Sequence, residues 1–129
     1  MPIRIVRLGS KREPQEGIRI GTVRRPPRGV PKAEFAKRDY YDVWLPTLSP
    51  SAELVKSALA AETEKAWQAF TRRYRSEMRK PDAVAVLNVL AAMSHTTNFS
   101  VGCYCEDETR CHRSVLRELL EEHGARVID

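Results

Sequence analysis

A chain of 129 residues with 42% apolar and 30% charged content is long enough to bury one hydrophobic core and too short for two domains. Its 22 Lys and Arg against 17 acids leave a net charge of +5, an excess that permits acidic partners without demanding them. No apolar run approaches the roughly 18–20 residues that span a bilayer and Met1-Pro2-Ile3-Arg4 lacks the apolar core of a secretory signal, so the chain reads as cytoplasmic, with no membrane partner.

Ile3 to Leu8 alternates well enough for a strand, and Gly9 to Pro14 breaks it. Ile18 to Val23 is a second strand candidate. It runs into Arg24-Arg25-Pro26-Pro27-Arg28-Gly29, where the prolines preclude both helix and central strand. Three guanidiniums on so stiff a loop can hold phosphate or carboxylate through paired hydrogen bonds. The plainer alternative is a solvated basic loop.

Ala36 to Trp44 carries Tyr40, Tyr41 and Trp44 and leads to Ser49-Pro50-Ser51. Either serine suits a helix cap, with Leu54, Val55, Ala58 and Leu59 on the buried face. A longer helix is predicted over 62–79, because Ala66, Trp67, Phe70, Tyr74 and Met78 recur at helical spacing while Lys65, Arg72, Arg73, Arg75 and Arg79 take other faces. The aromatic stripe reads as core and the basic face as solvated, with nucleic-acid binding a minor alternative. Pro81-Asp82 opens a third helix, whose residues 83–93 are apolar nearly all round and predict burial on several sides.

Phe99 to Cys103 predicts a strand, and Val115, Leu116, Leu119 and Leu120 predict an amphipathic helix stopped by Gly124, with a last strand at Ala125 to Ile128. Helices alternating with short strands point to one compact, three-layer, Rossmann-like α/β domain over residues 1–129, a mostly parallel sheet flanked by helices. Between the Phe99 strand and the last helix lie all three cysteines, Cys103, Cys105 and Cys111, with His112 and Arg113 directly after. An odd count clustered in one loop suits reactivity or ligation better than a disulfide framework.

The chain resembles the YeaO-like family, domain-of-unknown-function family 488, from Ile18 to the end of the last helix. The matching residues are Arg24, Pro27, Arg28 and Gly29; Trp44 with Ser49, Pro50, Ser51, Glu53 and Leu54; Phe70, Tyr74 and Glu77; and Cys103, Cys111, His112 and Arg113. Val23 and Pro26 replace the more usual Asp and Trp around the first arginine, and Cys105 stands where many members carry Glu. The resemblance implies a Rossmann-like fold and no particular activity.

Two chemistries fit the cysteine loop. One is an anion or nucleotide-type small-ligand pocket with no cofactor. There Arg24, Arg28 and Arg113 bind the anion and Tyr104 closes over it, while Cys111, its thiol acidified by the helix start, and His112 serve as nucleophile and proton shuttle of a thiol-dependent enzyme. Neither Cys103 nor Cys105 stands at the Cys-x5-Arg spacing of cysteine phosphatases from Arg110: Cys105 is one residue too near and Cys103 one too far. The other is zinc held by Cys103, Cys105, Cys111 and His112, in a structural or nucleic-acid-associated accessory protein. Alternation puts positions 103 and 105 on one face, whereas adjacent residues entering a helix diverge by about 100°, which counts against joint use of Cys111 and His112. Each side chain also has an ordinary alternative: Cys103 as core, Cys105 as a half-buried loop residue, Cys111 as packing, His112 as a cap, and Arg113 as a partner of Glu106, Asp107 or Glu108. His95 and His123 sit near helix ends, where capping suffices.

Overall fold

A computed structural model describes residues 2–59, 62–105 and 111–128, the side chain of Leu59 excepted. Five strands, β1 (Ile3–Arg7), β2 (Ile18–Gly21), β3 (Val43–Trp44), β4 (Phe99–Cys103) and β5 (Val127–Ile128), form one sheet in the order β3-β2-β4-β1-β5. Every pairing is parallel. Four helices, α1 (Ala52–Leu59), α2 (Glu64–Glu77), α3 (Pro81–Met93) and α4 (His112–Glu122), complete the α/β architecture.

β4 is buried at all five positions because β1 and β2 pair with it from both sides, Val101 lying opposite both Ile5 and Ile20. Its sequence shows how the two faces differ. Phe99, Val101 and the strand residues Ile3 and Ile20 join one core with Leu54 of α1, Trp67, Phe70 and Tyr74 of α2, Leu87 and Leu90 of α3, and Leu116 and Leu120 of α4. The alternate residues, Ser100 and Gly102, face the other way. A Cβ at position 102 would overlap the Val6 carbonyl oxygen, so glycine is what lets β1 lie this close.

Among the described residues, the second face has no α-helical layer. It is covered by the segments before β2 and before β3, tied down by a buried charge pair. Arg19, 1% exposed, donates through Nε to Glu16, 2% exposed. Its Nη1 donates to the carbonyls of Ser10 at 2.7 Å and Asp39 at 2.6 Å, and Ser100 Oγ donates to Glu16 at 2.7 Å. Each charge is thus hydrogen-bonded as burial requires. The pair stands beside an apolar cluster in which Leu8, Val23 and Tyr41 pack with Val6, Phe35 and Tyr40. Of the two layers expected to flank the sheet, one is helical and the other is built of loop and a single 3-10 turn at Lys32–Glu34.

Local chemistry sets the helix boundaries. Ser51 Oγ accepts from Leu54 N at 3.3 Å and Thr63 Oγ1 from Ala66 N at 3.1 Å, so each caps its helix. Pro81 begins α3, where its missing N–H costs nothing. Gly124, at φ 91, follows the end of α4. Tyr74 is fully buried, donates to the Leu48 carbonyl at 2.6 Å and stacks on Phe70, itself stacked on Trp67. Ala66, counted with that stripe by spacing, is exposed. α3 is likewise one-sided: Ala83, Leu87, Leu90 and Ala91 are buried, whereas Val89 is 57% and Met93 38% exposed. The helix packs on α4 and on the 3-10 turn at Pro46–Leu48, and its apolar composition does not carry that information. The basic face of α2 is partly engaged too, since Arg75 donates to Glu118 and, at 3.0 Å, to Glu122 of α4.

Candidate functional site

Strand order determines where a ligand can sit. The connection leaving β2 runs outward to β3, while the connection leaving its neighbour β4 runs the opposite way, through α4 to β5. Two adjacent parallel strands whose following loops diverge open a crevice at their carboxyl ends, the place where open α/β sheets bind ligands. The loops that diverge here are the arginine-proline loop after Gly21 and the cysteine loop after Cys103.

Two chambers lie at that edge. The smaller, about 370 Å³, is lined by Val23, Pro50, Ala52 and Val55 with Cys103 and His112, and also by Arg24 and Cys105. The larger, about 820 Å³, is lined by Arg7, Arg25, Arg28, Gly9, Tyr40 and prolines 26 and 27. Arg25 and Tyr104 belong to both. Tyr104 Oη donates to the Arg25 carbonyl at 2.9 Å and its ring meets Tyr40 edge-on at 6.2 Å. Burial raises the Tyr104 hydroxyl above the ordinary phenol range, with smaller contributions from Tyr41 and Tyr40, so it stays a neutral donor.

Cys111 caps α4 from an extended conformation, φ −131 and ψ 152. That turn corrects the expectation that Cys111 and His112 diverge as helix neighbours do: Cys111 has not yet entered the helix, and its Sγ lies 3.7 Å from His112 Nδ1. Cys103 and Cys111, each 2% exposed, bring their sulfurs into contact. His112, 8% exposed, donates through Nε2 to the Thr22 carbonyl at 2.8 Å and packs edge-on against Tyr74 at 5.5 Å. Burial holds its pKa down to about 4; the Thr22 bond opposes this and the Arg113 charge assists it. The imidazole is therefore neutral at physiological pH.

The remaining expected site residues are distributed differently. Arg24 lines the smaller chamber, but its guanidinium donates to the carbonyls of Pro50 at 3.1 Å and of Pro46 and Ser49 at 3.3 Å, bracing the start of α1. Arg113 is 4% exposed and donates to the Cys105 carbonyl at 2.6 Å, holding the cysteine loop. Arg28 belongs to the larger chamber, and Cys105 is exposed, outside the close group of Cys103, Cys111 and His112. Glu106, Asp107 and Glu108, expected as partners of Arg113, lie outside the described residues. His95 Nε2 meets the Gly124 carbonyl and His123 Nδ1 meets Asn88, each at 2.8 Å.

The sequence points to neither Arg7 nor Thr22. Arg25 is one of the three guanidiniums of the arginine-proline loop, although of these only Arg24 and Arg28 were expected at the ligand. Arg7 and Thr22 carry no local signal, because their roles come from strands brought together across the sheet.

No helix among the described residues is long and apolar enough to cross a membrane. No curated protein and no solved structure matches the chain. The family model DUF488-N3a, described as the active DUF488-N3 subclade, matches residues 3–124. With the motif resemblance and the parallel α/β sheet both in agreement, the chain belongs to the DUF488 family, in its DUF488-N3 branch.

Proposed function

We propose that this domain binds a small anionic, nucleotide-type ligand in the crevice between the arginine-proline loop and the cysteine loop. The observation that carries this reading is the junction of two chambers of unlike chemistry at Arg25 and Tyr104. Arg7, Arg25 and Arg28 surround the larger one, and the salt bridges among the described residues engage Arg12, Arg19 and Arg75, leaving Arg25 and Arg28 available to an anion. The smaller chamber offers Val23, Pro50 and Val55 to an apolar or aromatic body. Phosphate at the guanidinium end and a ring at the apolar end is the ligand this pairing fits.

The roles divide accordingly. Arg25 and Arg28 supply the charge, and Tyr104, held by the Arg25 carbonyl, forms the wall between the chambers. Arg24 and Arg113, spent on backbone carbonyls, position the two loops.

Amide chemical-shift mapping tests this. Inorganic phosphate should move resonances of Gly9, Arg25 and Arg28, and a nucleoside 5′-monophosphate should in addition move Val23 and Val55. Shifts confined to the basic face of α2, or none, would contradict the reading.

A further inference from the structure

The ligand reading gives the buried sulfurs and His112 no chemical role, although Cys103 and His112 line its smaller chamber. Sγ of Cys103, Sγ of Cys111 and a ring nitrogen of His112 all lie within 4.8 Å of one another. A carbonyl oxygen only accepts, so the bond from Nε2 to Thr22 fixes the hydrogen on Nε2 and leaves the Nδ1 lone pair beside Cys111. Proteins orient a metal-bound imidazole in this way, the second nitrogen tied to a backbone carbonyl or carboxylate. The Cα atoms of the two cysteines stand 8.0 Å apart, beyond the roughly 4.4–6.8 Å that a disulfide ordinarily spans. Two buried sulfurs and a ring nitrogen gathered this closely suit a shared ion.

We propose that Cys103, Cys111 and His112 bind one zinc ion through two thiolates and Nδ1, with the Thr22 carbonyl orienting the imidazole. Two soft sulfurs and one imidazole match zinc and disfavour magnesium and calcium, which take oxygen. Each thiol releases its proton to solvent on binding, and no oxidation state changes. Cys103 and His112 line the smaller chamber, so the fourth position is open to water or to a ligand held there. Three protein ligands with an open place is the arrangement of catalytic zinc rather than of closed structural sites. Cys111 is then a metal ligand and not a free nucleophile.

The test uses the full chain, reduced, stripped of metal and titrated with zinc or cobalt. The expected result is one equivalent bound, with thiolate-to-cobalt charge-transfer absorption. Binding should be lost in Cys111→Ser and His112→Ala and retained in Cys105→Ser. Should the first two variants fail to fold, the unaltered chain still decides, because zinc should slow alkylation of Cys103 and Cys111 relative to Cys105 and a chelator should reverse this. Failure of the reduced chain to hold zinc, binding that depends on Cys105 but not Cys111, or alkylation indifferent to zinc would each overturn the proposal.

Discussion

His112 Nε2 donates to the Thr22 carbonyl oxygen at 2.8 Å, fastening the start of α4 to the end of β2 across the crevice. The bond joins the two loops that form the candidate site, and it places a neutral imidazole against the core through Tyr74.

A pH prediction follows for the metal-free chain. The folded His112 pKa of about 4 lies below the ordinary 6.5, so the unfolded chain takes up the proton first. The stabilisation is complete above about pH 6.5 and is lost as pH falls through the folded value, amounting to about 3 kcal/mol. Ring-proton NMR should show His112 unprotonated from about pH 8 down to about pH 5, and a midpoint near 6.5 would contradict its burial.

The Arg19–Glu16 pair predicts a larger mutational effect. Arg19→Met leaves a buried carboxylate without its counter-charge and removes the guanidinium donor to the Ser10 carbonyl, and should cost about 3–5 kcal/mol. Adding Glu16→Gln should recover part of that loss in urea unfolding. The bonds from Arg19 and Ser100 outweigh the burial that opposes them and hold the Glu16 pKa below its usual value. Its contribution is therefore present above about pH 4.3 and lost as pH falls through the lowered folded value, which a flatter acid limb in Glu16→Gln would show.

Gly102→Ala should destabilise by about 1–3 kcal/mol. The added methyl meets the Val6 carbonyl and the Val6 and Leu8 side chains, and no flexible group can give way to relieve the backbone contact. Equilibrium unfolding measures the cost, and a neutral effect would show that β1 and β4 can separate freely.

Arg75→Ala should matter little. Its partners Glu118 and Glu122 are 59% and 57% exposed, so the loss should be about 0.2–1 kcal/mol and should shrink in salt. Melts at low and high ionic strength distinguish this from a packing role.

Much of the architecture was legible in local pattern. The strand Phe99–Cys103, the caps at Ser51 and the glycine stop at Gly124 all follow from period and turn chemistry. β3 was not, because Val43-Trp44 is two residues long and owes its pairing to Ile20 and Gly21. The one-sided burial of α3 was hidden for a related reason: an apolar sequence shows what could be buried, and only the neighbouring elements decide what is. At the site, the clustering of cysteines and His112 was evident from spacing. The Cys111 turn, the Thr22 anchor and the employment of Arg24 and Arg113 as braces depend on residues up to 90 positions away, beyond any local signal.

The most direct test of the ligand-binding account is calorimetric titration of a nucleoside 5′-monophosphate into the unaltered chain and into an Arg25→Ala, Arg28→Ala double variant. The account predicts saturable binding that loses about tenfold or more in the variant, since each tenfold step corresponds to only about 1.4 kcal/mol and charge-assisted hydrogen bonds contribute at that level. Equal affinity in both proteins, or no binding to either, would contradict it.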